Sequence, residues 1–485
     1  MIKLSLVIFL AVALAALGLY HLFKPLPKGL GFKGKERLLH DPHLLIDRTY
    51  TDAEGNKQLD QQIFAEVFRL VEQAQKLIVV DMFLFNDSGT NGDSHQPLAR
   101  QLTDALVARK QALENILIVV ITDPVNNFYG GAHSPHLQEL RRAGITVVET
   151  RLTALRDSNP LWSAPWRLCC QWLGNSANGG WLPNPLGENR VSLRSYLRLL
   201  NFKANHRKTL VVDEGSGLRG LVTSANPHAG SSQHSNVGLS FAGGAAYDLL
   251  QTEIAVVAMS DDAENLLATL EKFGHGDDAK ASFQQPSPPL WGQIVTEAKI
   301  RDAALAMIDG APAGSEVDLA MFYFSHRSLV DAFVRAHHRG VRLRVLLDAN
   351  KDAFGREKNG IPNRQVALEL HRQGIAVRWC KTSGEQCHSK LLIRRDSDKH
   401  WQILLGSANF TRRNLDDFNL ETNIRVWGRG ESELIREATD YVADIWAGDL
   451  NKGVSLSLPF EAYEDRSTLR YWRYRIMEAT GLSTF

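Results

Sequence analysis

The chain opens on an uninterrupted apolar run and then settles into alternating strand and helix periods. Between positions 4 and 23 only Ser5 and His21 are polar. About 20 helical residues rise roughly 30 Å, the thickness of a hydrocarbon core. Pro25 and Pro27 end this run. Helical spacing in Ile63, Phe64, Val67, Phe68 and Val71 then leads to a strand over 77–85. A helix over 96–110, a strand over 116–121, a helix over 137–143 and a strand over 145–148 follow. The same order returns later: strand 317–324, helix 328–339, strand 341–347, helix 364–373 and strand 375–379. The wording also repeats, since 140–147 and 370–377 share Leu, Arg, Gly, Ile and Val at matched places. Gly144 and Gly374 sit where a helix C-cap is expected.

Strands alternating with helices predict an α/β fold of two fused, similar halves, with mixed sheets flanked by helices. The expected organisation is an N-terminal membrane anchor over 1–24, a juxtamembrane segment over 25–60 and a first half over 61–272. A linker over 273–292, a second half over 293–450 and a C-terminal tail over 451–485 complete it. The linker reading rests on the Pro- and Gln-rich stretch up to Pro289.

The halves differ by about 48 residues, expected as an insert at 151–200 of the first half. This insert holds Trp162, Trp166, Trp172 and Trp181, four of the ten tryptophans, together with six arginines. Its end, 191–200, has the spacing of a short basic amphipathic helix. Trp and Arg in this setting suit a lipid headgroup interface; a cap with its rings buried in the protein is the other reading.

With 485 residues the chain can bury two cores of ordinary size. Its net charge is +1, from 55 basic and 54 acidic residues, so it has no global attraction for nucleic acid. Cys169, Cys170, Cys380 and Cys387 match neither a small secreted disulfide framework nor a zinc-ligand spacing, so no metal and no cofactor are expected. A signal peptide cleaved after Ala15 competes with a retained anchor, but Leu17, Leu19 and Leu22 prolong the apolar run and favour the anchor. Lys24, Lys28, Lys33, Lys35 and Arg37 follow it, which leans towards a body on the cytoplasmic side of a membrane, expected to be a bacterial inner membrane.

The chemistry is carried by a string that occurs twice. His206 and Lys208 are followed by Ser224-Ala225-Asn226, and His388 and Lys390 by Ser407-Ala408-Asn409. Asn lies 20 positions beyond His in the first copy and 21 in the second. A phosphodiester resists anionic attack, so a neutral imidazole is a suitable nucleophile, while an imidazolium can protonate the departing alkoxide. One site therefore needs two histidines. Two lysines and two asparagine amides would neutralise and hold the non-bridging oxygens, in place of a metal.

The paired motifs resemble the phospholipase D superfamily, more particularly bacterial phospholipase D and cardiolipin synthase-like membrane proteins. The resemblance implies two halves related by pseudo-twofold symmetry, an interfacial site and a phosphohistidine intermediate resolved by water or an alcohol. It also implies a structural role for Asp213; Arg395 stands at the matching place of the second copy, with Asp396 one residue later. Ser224 and Ser407 are supporting residues. Glu421, twelve residues past Asn409, corresponds to the carboxylate that in relatives orients the imidazole of the opposite half. Counting equally from Asn226 reaches Gly238, so Glu421 is expected to support His206, leaving His388 without a counterpart. This assigns nucleophile to His206 and general acid to His388. Phospholipid is the expected substrate, by hydrolysis or phosphatidyl transfer. A membrane-tethered nuclease is the alternative, and an inactive scaffold is disfavoured because both His, both Lys and both Asn are present. Composition and spacing do not speak to the oligomeric state.

Overall fold

A computed structural model describes residues 2–483 except 89–94, 186, 188, 216, 262–263, 275–282, 354–355, 358 and 449–453. Two mixed sheets form, each flanked by helices. The first has eight strands, in the order 57–60, 40–51, 236–242, 217–223, 208–214, 77–82, 117–122 and 146–149. The second has nine: 37–38, 291–296, 422–429, 400–406, 390–395, 316–321, 342–347, 376–380 and 457–459. Seven consecutive strands correspond between the sheets. In both, three parallel strands continue into an antiparallel meander. The apolar runs at 77–80 and 117–121 occupy interior positions, which is why they read as continuous rather than alternating. Gly144 and Gly374, at φ +78° and +84°, end the helices Pro135–Arg142 and Asn363–Arg372 in matching left-handed turns.

The fold departs from the expected boundaries at three places. Residues 40–51 and 57–60 belong to the first sheet and 37–38 to the second, so 25–60 is not a segment outside the halves. Only Leu44, Leu45, Asp47 and Thr49 are buried along the long strand, a pattern too polar to reveal it. Within 273–292, residues 275–282 lie outside those described, Leu290 is buried, and a strand begins at Trp291. The expected tail supplies the strand Ser457–Pro459 and the helix Thr468–Thr480, whose Tyr474 reaches the second core. All four cysteines also fall into pairs, Cys169 with Cys170 and Cys380 with Cys387.

The N-terminal helix spans Ile2–Phe23; residues 3–23 have mean hydropathy 2.4 and are largely exposed along their length. Among the described residues it is the one helix long and apolar enough to cross a membrane. Its end is fixed to the insert. His21 O accepts from Asp157 N at 2.9 Å, and Lys24 O accepts from Arg156 Nε at 2.8 Å. Gly18 leaves room for the helix Pro160–Cys169, so that a Cβ there would meet Ala164 Cβ at 3.6 Å.

The insert divides between the two readings of its tryptophans. Trp166 is buried, and half-buried Trp162 donates Nε1–H to Leu197 O at 2.8 Å, so both hold the cap together. Trp172 and Trp181 are 78% and 66% exposed, and Leu161, Leu168 and Leu173 of the same insert are exposed as well.

Candidate active site

Each His-Lys pair is delivered by the residues leading into a central antiparallel strand, at the edge where the two sheets meet. His206 and His388 lie two residues before the strands Lys208–Glu214 and Lys390–Arg395. In both halves the strand begins at the Lys. Each His segment is stitched to the opposite half. Asn205 bridges to Leu420, with His206 N donating to Leu420 O at 2.9 Å; Cys387 bridges to Ser235, with His388 N donating to Ser235 O at 2.8 Å. Fixing a loop by partners from both halves gives it the rigidity that a catalytic group requires.

The side chains repeat this symmetry. Lys208 Nζ donates to His206 O at 2.6 Å, and Lys390 Nζ to His388 O at 2.7 Å. Phe83 packs on His206 at 4.8 Å between centroids and lies 5.1 Å below Lys208 Nζ. Phe322 does the same for His388 and Lys390, at 4.9 and 5.1 Å. These two rings thus frame the imidazoles, whereas Phe85 and Phe324 are core. Asn226 and Asn409 are both buried; Asn226 Oδ1 accepts from Leu84 N at 3.3 Å, and Asn409 Oδ1 has no hydrogen-bond partner.

The crossed support expected for His206 is present. His206 Nδ1 lies 2.9 and 3.1 Å from the two Glu421 oxygens. Glu421 is fully buried and also accepts from Ser407 Oγ and Asn414 Nδ2. His388, expected to lack a counterpart, has one: its Nδ1 lies 2.9 Å from Asn236 Oδ1, which Ser224 Oγ also engages at 2.9 Å. The difference between the halves is therefore carboxylate against amide. Asn236 escaped the count because the loop after Asn226 is two residues shorter than the one after Asn409, moving the counterpart from Gly238 to 236.

The site is poor in negative charge. Burial lowers His206 to about 4 against the opposing pull of Glu421, and lowers Lys208 to about 7. Burial, then Lys390, pushes His388 far below the usual imidazole range; burial and then Lys208 depress Lys390. Each half thus acts on the other's groups, and Lys390 also acts on His206. A phosphodiester anion entering here supplies the missing countercharge and favours protonation of a histidine as it binds.

Other residues serve the scaffold. Asp213 accepts from the backbone N–H groups of Gln75, Lys76 and Leu77, far from the chemistry in role. In the second half Asp396 pairs with Arg394 and accepts from Ser315 Oγ, while Arg395 turns to Glu316 and Asp318. Arg207, between His206 and Lys208, is fully buried and paired with Glu253 and Glu297. Glu297 Oε1 in turn accepts from Glu421 N at 3.2 Å, tying this ion pair to the support of His206. Neither Arg207 nor Glu297 has a sequence signal of its own. His136 contacts Asp87 and Thr103, and His371 stacks on Phe460, both structural roles. Among the described residues no group of three or more His, Cys, Asp or Glu is placed to hold a metal ion.

Residues 305–446 match the family described as cardiolipin synthase, PLD-like domain, a region that includes His388, Lys390, Asn409 and Glu421. No curated protein matches the chain. Among solved structures, phosphatidylserine synthase of Haemophilus influenzae Rd KW20 is similar at TM-score 0.55 and 10% identity, over 92% of this chain and 96% of that one. Nuc, a phospholipase D family member from Salmonella typhimurium, aligns at TM-score 0.27 and 20% identity, over 34% and 97%. Polyphosphate kinase from Porphyromonas gingivalis aligns at 0.43 and 14%, over 90% and 53%. The first of these shows a shared fold along nearly the whole chain. The resemblance to the phospholipase D superfamily read from the two motifs is borne out.

Proposed function

We propose that this chain is a membrane-anchored phospholipase D-type enzyme that cleaves or transfers phospholipid phosphodiesters through a phosphohistidine. The observation that carries the reading is the crossed pair of imidazoles, His206 on Glu421 and His388 on Asn236, each with its own Lys. The Glu421 carboxylate holds the Nδ1–H tautomer of His206, leaving Nε2 to attack phosphorus, and stabilises the cation that forms. Asn236 orients His388 without a full charge, so a proton on His388 is more readily given to the departing alkoxide. Lys208, Lys390, Asn226 and Asn409 hold the non-bridging oxygens. Water or a second alcohol, deprotonated by His388, then displaces His206.

The purified protein, given phosphatidylglycerol, phosphatidylcholine and single-stranded DNA without added metal, is expected to convert lipid. Products identified by mass that came only from DNA would replace this reading with a nuclease.

The insert supports a lipid substrate because it packs on the end of the N-terminal helix and exposes Trp172 and Trp181. Burying such a side chain in an apolar setting is worth about 2 kcal/mol. Trp172→Ser with Trp181→Ser is expected to lower activity on anionic vesicles about 10-fold or more, and activity on a soluble diester little. Equal losses on both substrates, with a lowered melting temperature, would make these rings structural.

The side of the membrane is proposed from the cysteines. Their pairing belongs to an oxidising compartment. The flanking charges that leaned towards the cytoplasm are partly engaged inside the protein, Arg37 with Asp248 and Lys24 with Thr153 O. Protein alkylated without reduction in native membranes is expected to show no labelled cysteine. Labelling of all four would restore the cytoplasmic assignment.

A further inference from the structure

The amide that holds His388 is itself held by an acid. Asn236 Oδ1 faces His388 Nδ1 at 2.9 Å and accepts from Ser224 Oγ at 2.9 Å. Its Nδ2 donates to His234 O at 3.2 Å, and the side chain also hydrogen-bonds the Asp47 carboxylate. Asp47 and Asn236 stand directly opposite each other in the antiparallel pair of strands 40–51 and 236–242, and both are 2% exposed. Residues so paired point their side chains to one face of the sheet, with Cβ atoms about 5 Å apart. Asp47 Oδ1 is fixed in turn by the backbone N–H groups of Gln62 and Ile63, at 2.8 and 3.0 Å, where the helix Ile63–Gln73 begins. Burial pushes the carboxyl up to about 7 against these three donors, so it is ionised in mildly alkaline solution.

An asparagine amide has two ends of opposite polarity, whereas an ionised carboxylate only accepts. Glu421 therefore obliges His206 Nδ1 to donate, whatever lies behind it. Glu297, which follows the strand 291–296 where it pairs with 422–429, accepts from the Glu421 backbone N–H. Asn236 is different: it offers His388 an oxygen or an N–H according to how the amide is turned. An acceptor-only group on its far side draws Nδ2 and turns Oδ1 towards His388. His388 must then carry its proton on Nδ1, which leaves Nε2 to pass a proton to and from an alcohol. The strand of Asp47 also supports the loop before Asn236, since Thr49 N donates to Ser235 Oγ at 3.1 Å and Thr49 Oγ1 to Gln233 O at 2.6 Å.

We infer that Asp47 is a positioning residue for the acid–base histidine: by fixing the Asn236 amide it sets the tautomer of His388, as Glu421 does directly for His206. This rests on the proposed reading in which His388 passes protons to and from the alcohols. A helix cap alone accounts for the contacts with Gln62 and Ile63, but not for the pairing with Asn236.

Asp47→Asn separates the two roles. Its amide oxygen still accepts from Gln62 and Ile63, so the melting transition should persist, while its NH2 group meets Asn236 and turns that amide over. Full-length protein labelled with ¹⁵N-histidine, in detergent micelles and mildly alkaline buffer, reports the tautomer through its imidazole nitrogen shifts. The His388 signals are identified by their loss in His388→Gln. Wild type should show the Nδ1–H form and Asp47→Asn chiefly the Nε2–H form. Combining Asp47→Asn with Asn236→Asp exchanges amide and carboxylate, and should return His388 to Nδ1–H. Turnover of phospholipid by Asp47→Asn should fall about 10²-fold, the scale of a lost general acid, with KM little changed and a much smaller loss on a nitrophenyl diester. Retention of Nδ1–H in Asp47→Asn, or equal losses on both substrates with a lowered melting temperature, would overturn the inference. Protein that turns over no diester and still inverts the tautomer would refute the proposed function and keep the positioning role.

Discussion

His206→Gln and His388→Gln are each expected to lower diester turnover about 10³-fold or more, the scale at which nucleophilic and acid–base groups act together. Glutamine at 206 keeps an amide able to donate to Glu421, so the buried carboxylate retains a partner and the fold should persist. Circular dichroism and the melting transition check this. The two variants should then part company. With a substrate whose leaving group needs no proton, the His388 variant should regain much of its rate, whereas the His206 variant should not, because no other group can form the covalent bond. Steady-state rates on a nitrophenyl diester and on phospholipid measure the difference. Rescue of the His206 variant alone would reverse the roles.

The second large effect concerns Glu421. Glu421→Gln preserves size and a hydrogen-bonding oxygen but removes the charge that answers the His206 cation. An uncharged partner in the equivalent place of a catalytic triad costs about 10⁴-fold, and a loss of about 10²–10⁴-fold in kcat is expected here. Asn236→Asp tests the other half: a carboxylate there would hold the His388 proton more tightly and slow departure of poor leaving groups most. If Glu421→Gln left kcat intact, the carboxylate–amide difference would have no chemical consequence, and the assignment of roles would lose its basis.

The central architecture was readable because it rests on period and repetition. Buried strands such as 77–82 and 117–122 are nearly continuous apolar runs, and the repeated His, Lys, Ser and Asn stand at near-equal spacing. Glu421 was found because it stands twelve residues past Asn409, where the resemblance places a carboxylate. Asn236 was not, since a loop two residues shorter defeats equal counting while the folded backbone restores the match. Arg207 and Glu297 were silent for another reason: a buried ion pair joins residues 90 positions apart, and neither charge has a local pattern. The strand at 40–51 is half-buried and polar, so its alternation is faint. The insert has no regular period at all. Only packing distinguishes Trp166 from Trp172, the first inside the cap and the second at its surface.

Acid quenching of the full-length enzyme during turnover of a diester labelled on the phosphorus-bearing portion retained by the enzyme tests the central claim most directly. Digestion and mass analysis should locate the label on the peptide containing His206, in wild type and, with a good leaving group, in the His388→Gln variant. Label on His388, or rapid turnover with no covalent phosphorus on either histidine, would contradict the account.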